Sequence, residues 1–207
     1  MTSSCKVQTS QIVLATKNLG KLAEFTALFR DHGLDIKIEG TPRGLELPNE
    51  TGMSYRENAS LKAEWVGQRL QATSLADDSG LEVQALSGAP GLHSARFGGP
   101  KLSDPERVQL LLEALRGVHA ERRRARFVCC LALFLPSTGS TITSEGFIEG
   151  RILEESRGQG GFGYDPVFFV PLLGKTLAEI CPEEKNKFSH RAKALERLLA
   201  GLKGPGE

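Results

Sequence analysis

The feature that most limits the fold is a buried strand that runs straight into a helix. Residues 11–16, QIVLAT, form a short β-branched run that fits a strand covered on both faces. Residues 17–33 follow with Leu22, Phe25, Leu28 and Phe29 at helical spacing and Gly33 as a stop signal. This junction places Thr16, Lys17, Asn18, Leu19, Gly20 and Lys21 at a helix N-terminal end. Free N–H groups and the positive end of the helix dipole make such an end a natural phosphate site. Residues 34–39 alternate like a second strand, and residues 41–52 are rich in turn formers. Residues 54–72 read as a helix with Tyr55, Ala59, Ala63, Val66 and Leu70 on one face. Glu50 lies just ahead of that helix and Lys62 within it.

Further on, Ser103-Asp104-Pro105-Glu106 is a capping box with proline in the first turn, opening a helix that ends near Gly117. Residues 125–136 form a long apolar strand, and residues 141–152 return as its hairpin partner. A glycine-rich loop and a short apolar strand occupy residues 157–171, and residues 192–202 form a terminal helix. Alternating strands and helices followed by a late hairpin predict an α/β fold with a mixed sheet. Residues 11–202 read as a single domain between tails at 1–10 and 203–207.

Residues 75–99, LADDSGLEVQALSGAPGLHSARFGG, are the chemical centre of the chain. Strand alternation sends Asp77 and Asp78 to opposite faces. One carboxylate can then hold a divalent cation while the other is tied into the scaffold. A hard cation such as Mg²⁺ needs one or two carboxylates, water and the substrate's phosphates. Five glycines in the stretch permit close backbone approach to a ligand. The competing reading is an Asp-Asp-Ser-Gly turn that ends an edge strand.

The 26 basic and 25 acidic residues leave a net charge of +1, so no global field draws nucleic acid or a membrane surface. No apolar run reaches the length of a membrane span, and the N-terminal residues lack the apolar core of a signal peptide. Four cysteines show no metal-type spacing, and Cys129 and Cys130 sit in the apolar strand as core filler. The chain is therefore expected to be cytoplasmic. Gly158 to Gly163 matches G-x-G-x-x-G, yet a strand rather than a helix follows, so no dinucleotide site is expected. Gly174-Lys175-Thr176 lacks the first glycine of a phosphate-binding loop, which Phe169 replaces.

Lys21 and Lys62 can be solvated helix residues, or two flexible ammonium groups that bind a polyphosphate. Phe162-Gly163-Tyr164-Asp165 can plug the sheet, or offer aromatic faces to a flat base. Lys185, Ser189, His190 and Arg191 can form a capped turn with Ser189 as N-cap, or a donor-rich pocket. Residues 122–126 hold four arginines without interleaved aromatics and read as a solvated loop rather than an RNA surface.

Taken together, Thr16-x-Asn18-x-x-Lys21, ADDSGLEVQALSGAPG, SARFGG, GGFGYDP and SHRAKAL resemble, in that order, the inosine triphosphate pyrophosphatase (Ham1) family, especially its bacterial members. The resemblance spans residues 11–202, although Lys17 stands where many relatives carry a small residue. It implies a long twisted mixed sheet with two lobes around a cleft, Mg²⁺ as cofactor and a homodimer. It also implies hydrolysis of noncanonical purine triphosphates (ITP, dITP, XTP) to the monophosphate and pyrophosphate.

By the same resemblance, residues 16–21 and Lys62 would bind phosphates. Asp78 would hold the metal and accept the proton of the attacking water, with Glu50 as second metal carboxylate. Ser79 would touch substrate, Asp77 and Ser189 would support the site, and residues 162–165, Lys185, His190 and Arg191 would form the base and ribose pocket. Lys185 and Arg191 only donate hydrogen bonds, which suits an oxygen at purine position 6 and mismatches adenine's amino group. A nucleotide sensor without catalysis, an RNA-binding protein and a pyrimidine-directed pyrophosphatase are the other readings.

Overall fold

The computed structural model describes residues 10–203. The expected tails at 1–10 and 203–207, and Cys5, fall almost wholly outside that range. Seven strands form one sheet in the order β2-β1-β3-β4-β5-β6-β7. They are β1 (Gln11–Leu14), β2 (Lys37–Gly40), β3 (Ser74–Val83), β4 (Arg124–Leu135), β5 (Ser140–Ile152), β6 (Phe168–Val170) and β7 (Lys175–Thr176). β1 runs parallel to β2 and to β3, whereas β6 is antiparallel to both β5 and β7. The helices are α1 (Leu19–Asp31), α2 (Tyr55–Leu70), α3 (Asp104–Ala114), α4 (Pro182–Lys185) and α5 (His190–Lys203). The mixed sheet and α/β class are those expected. β7 and the single turn of α4 are too short for a periodic signal and were not foreseen. α5 begins two residues earlier than expected, at His190.

The chain divides into two compact units, each discontinuous in sequence. Among the described residues, one comprises 10–78, Cys129–Gly146 and 190–203, the other Ser79–Val128 and Phe147–Ser189. In the first, strand alternation sorts side chains cleanly. Ile12, Leu14, Leu75, Cys129, Leu131 and Leu133 pack with Phe25 and Leu28 of α1 and Leu195 and Leu198 of α5. Val13, Ala15, Ala76, Cys130, Ala132 and Phe134 pack with Ala59, Ala63 and Val66 of α2. Helices on both faces explain why β4 reads as an unbroken apolar run. Leu70, expected on the buried face of α2, is 36% exposed at the helix end, where the strands no longer cover it.

In the second unit, Leu81, Val83, Phe127, Ile148 and Ile152 pack with Val108 and Leu111 of α3, with Leu115 just after it and with Phe168. α3 carries the expected capping box, with Ser103 and Glu106 each bonding the other's backbone. The arginine run departs from its expectation. Arg123 is buried, and its guanidinium donates to the carbonyls of Leu115, Val118 and Leu153 at 2.8–3.0 Å. It satisfies the Leu115 carbonyl at the end of α3 and two carbonyls outside that helix, whereas Arg122, Arg124 and Arg126 stay exposed, so the solvated reading fails at Arg123 alone. Among the described residues, no helix is long and apolar enough to cross a membrane.

Candidate active site

At the start of α1, Asn18 is the N-cap and accepts from the Lys21 amide at 3.0 Å. Thr16 Oγ1 accepts from the Asn18 amide at 3.1 Å, fixing the turn out of β1. The first turn of α1 holds no acidic residue, so its positive end is not neutralised locally. Lys21 Nζ reaches back to Asp77 Oδ2 at 3.4 Å. Lys17 points elsewhere and pairs with Glu46 at 2.5 Å, and Leu19 is exposed.

Asp77 and Asp78 lie inside β3, third in the strand order, which removes the edge-turn alternative. Their partners differ by face, as alternation requires. Asp77 Oδ2 accepts from Arg191 Nε at 2.6 Å, and Arg191 Nη1 donates to Glu24 Oε2 at 3.0 Å. These partners come from α5 and α1. Asp78 meets α2: Oδ1 accepts from Lys62 Nζ at 2.8 Å and Oδ2 from Asn58 Nδ2 at 3.3 Å. Lys62 Nζ also donates to Glu50 Oε1 at 2.7 Å and to the Asp77 carbonyl at 3.0 Å. Three acceptors use the three protons of one buried ammonium.

The charges respond to this geometry. Burial pushes the Asp78 carboxyl up to about 6, Lys62 opposes the shift, and neighbouring Glu50 adds to it. Burial acts in the same direction on Asp77, but Arg191 and Lys21 overcome it and hold that carboxyl well below the usual range. Burial lowers Lys21, and it would lower Lys62 too, were Asp78 and Glu50 not holding the Lys62 proton. β3 therefore carries one permanently charged aspartate and one poised near neutrality.

The donor set fits Mg²⁺. Glu50 and Asp78 converge on a single ammonium group, which places two carboxylates side by side. Among the described residues no group of three or more His, Cys, Asp or Glu is placed to hold a metal. Two carboxylates completed by water and phosphate oxygens are what Mg²⁺ ordinarily takes.

In the second unit the glycine-rich loop is built around Asp165. Its buried Oδ2 accepts from the Phe162 amide at 3.0 Å and from Lys185 Nζ at 2.7 Å. Gly161 has φ +72°, and a Cβ there would lie 2.0 Å from that same oxygen, so the residue must be glycine. Lys185 Nζ stands 5.1 Å from the Phe162 ring centre, a cation–π distance. The Tyr164 hydroxyl donates to the Ser94 carbonyl at 2.9 Å. Tyr164 is thus a core residue, whereas Phe162 keeps a half-buried ring. Ser79 is partly buried on β3, and Ser189 and His190 are buried where α5 begins.

Two expectations about donors change. Arg191 is 3% exposed and held by two carboxylates, so its described contacts are structural rather than those of a donor waiting for a base. Lys185 is likewise committed to Asp165. Residues that sequence reasoning missed are Glu24, the partner of Arg191, Asn58, the partner of Asp78, and Asp104, whose Oδ2 accepts from the Gly163 amide at 2.8 Å. Asn58 stands one helical turn before Lys62, and Glu24 one turn after Lys21, a spacing that shares a face. No local signal marks the Asp104 contact.

Residues 12–201 match the model of the Ham1 family. A protein named dITP/XTP pyrophosphatase from Geobacillus kaustophilus (strain HTA426) is 49% identical over 193 residues, covering 91% of this chain and 92% of that protein. The solved structure of a HAM1 protein from Coxiella burnetii matches with a TM-score of 0.82 and 43% identity, covering 93% of this chain and 98% of that one. The Staphylococcus aureus Ham1 structure matches with a TM-score of 0.80 and 39% identity, covering 95% of this chain and 100% of its own. The same ordered motifs, the α/β sheet and these matches over nearly the full length agree: the chain belongs to the Ham1 family.

Proposed function

We propose that the chain is a nucleoside triphosphate pyrophosphatase that hydrolyses the noncanonical purine triphosphates ITP, dITP and XTP to the monophosphate and pyrophosphate. The observation that carries this reading is the buried convergence of Glu50 and Asp78 on Lys62, with Lys21 beside the same strand at the open end of α1. The name dITP/XTP pyrophosphatase, borne by the Geobacillus relative, supports it.

In this mechanism Thr16, Asn18 and the amides of residues 17–21 cradle phosphate oxygens, and Lys21 and Lys62 neutralise their charge. Asp78, poised near 6, accepts a proton from water as the water oxygen attacks the α-phosphorus. The α–β bridging oxygen leaves with the pyrophosphate, whose added negative charge the two lysines stabilise. Mg²⁺ held by Asp78 and Glu50 would lower the pKa of bound water and neutralise phosphate charge. Asp77, kept anionic by Arg191, anchors Lys21.

For the base and ribose, Phe162 offers a stacking face, and Ser79, Gly163, Tyr164, Asp165, Lys185, His190 and Arg191 shape the surroundings, with Ser189 in support. The Lys185 ammonium, which donates and does not accept, matches a 6-oxygen and is mismatched by adenine's amino group. The protein is taken to be a cytoplasmic homodimer that needs neither nucleic acid nor membrane. The test is a panel of nucleoside triphosphates with Mg²⁺, scored for pyrophosphate against phosphate. IMP and pyrophosphate from ITP are expected; stepwise phosphate release through IDP refutes the reading.

A further inference from the structure

The tip of the glycine-rich loop is gripped from outside by a residue that the proposed chemistry does not use. Asp104 is the first residue of α3. Its Oδ2 accepts from the Gly163 amide at 2.8 Å, and its Oδ1 from Arg107 Nη1 at 3.3 Å. Arg107 is buried on α3 and also reaches the Gly99 carbonyl at 3.5 Å, so the carboxylate is steered from behind. One side chain thus bridges a rigid helix and a loop fifty-nine residues later.

Two other side-chain anchors of the loop lie in the interior: Asp165 with Lys185, and Tyr164 with Ser94. Asp104 differs, with half of its side chain exposed. Gly163 sits at φ +62°, and nothing lies within 4 Å of where its Cβ would be. Nothing lies against that side of the backbone, and glycine permits more backbone conformations than other residues. The polar tether acts one residue away from the Phe162 ring, in addition to the bond between the Phe162 amide and Asp165.

We propose that Asp104 is a positioning residue that holds Phe162 at stacking height and thereby sets affinity for the purine base. This rests on the nucleotide reading above. A base stacks on a face already in place with less ordering entropy lost on binding, so the effect belongs in binding rather than in the chemical step.

The experiment compares Asp104→Ala and Asp104→Asn with the wild type. Hydrogen exchange at the Gly163 amide and KM and kcat for dITP are measured, with thermal unfolding as a control. A charge-assisted bond of this kind is equivalent to about ten- to a hundredfold in protection. Asp104→Ala is expected to speed Gly163 exchange by at least ~10-fold and raise KM by about tenfold, with kcat within about threefold. Asp104→Asn keeps an acceptor oxygen and is expected to restore most of both. Unchanged exchange and KM in Asp104→Ala overturn the proposal. So do equal losses in kcat and kcat/KM accompanied by faster exchange throughout α3, which mark a mere helix-end role. A wild type that hydrolyses no purine triphosphate refutes the functional reading instead, and exchange at Gly163 then decides by itself whether Asp104 orders the tip.

Discussion

Asp78 is asked to do two things that oppose each other. It must be ionised to accept a proton, yet it is buried where charge is disfavoured, and its carboxyl is pushed from 3.8 to about 6. Between those values the native protein binds a proton that the unfolded chain has released, so stability falls as pH rises through that window. Above it the full penalty acts, of the order of 2–3 kcal/mol. Asp78→Asn should therefore lower turnover by at least ~10²-fold while stabilising the metal-free protein at pH 8 by roughly 1–3 kcal/mol. The gain should vanish at pH 4, where both side chains are neutral. Urea unfolding with a chelator at the two pH values measures it; a less stable variant at pH 8 would mean that the Lys62 bridge outweighs desolvation. Mg²⁺ should raise the Tm of the wild type and leave that of Asp78→Asn unmoved. Arg191 answers to the opposite logic. Arg191→Ala strands the Asp77 and Glu24 carboxylates, and a loss of about 3–5 kcal/mol is expected in thermal unfolding. Intact stability with a selective fall in kcat/KM for ITP over ATP would instead make the arginine a reader of the base.

α2 shows how an element's rules yield to its neighbours. Gly67 lies inside the helix, where propensity alone says that alanine should stabilise by about 1 kcal/mol. In the structure a Cβ at that position would stand 2.2 Å from Phe134 Cδ1 and 2.7 Å from Ser74 Oγ. Phe134 is 4% exposed on β4, so its ring has no room to withdraw. Gly67→Ala is expected to destabilise by roughly 1–3 kcal/mol through overpacking, measurable by denaturant midpoint. A stabilised variant would show that α2 can shift away from β4. Because α2 also carries Asn58 and Lys62, such a shift should appear as altered turnover. Other elements follow their local signals closely. Asn18, Ser54 and Ser103 each cap a helix through a side-chain oxygen, as residues of their type ordinarily do.

Across the whole molecule, Tyr164 links the aromatic loop to the core of its unit. Burial pushes its phenol well above the usual range, with Arg107 opposing and Asp104 adding to the shift. Above the ordinary tyrosine pKa of about 10 the unfolded chain releases a proton that the native state retains, so stability is lost as pH climbs further. Tyr164→Phe gives up the bond to the Ser94 carbonyl, worth about 1 kcal/mol, yet should lose less stability than the wild type between pH 9 and 11. Urea midpoints across that range test this, and parallel curves for the two proteins would refute it.

Much of the site is legible in the sequence. Alternation placed Asp77 and Asp78 on opposite faces, and the strand-to-helix junction put Asn18 and Lys21 at an open helix end, because both are consequences of backbone geometry over a few residues. The ordered motifs carried the family, and the matches along nearly the whole chain agree with it. What the chain alone left open was who neutralises whom. Arg191 meets Asp77 across 114 positions and Glu24 across 167, and Asp104 meets Gly163 across 59. Such pairs depend on which helix covers which face of a strand, and no local periodicity encodes that. Burial has the same origin. Two aspartates adjacent in sequence are separated electrically because α1 and α5 bring Asp77 an arginine and a lysine, while α2 brings Asp78 one shared lysine within reach of a second carboxylate.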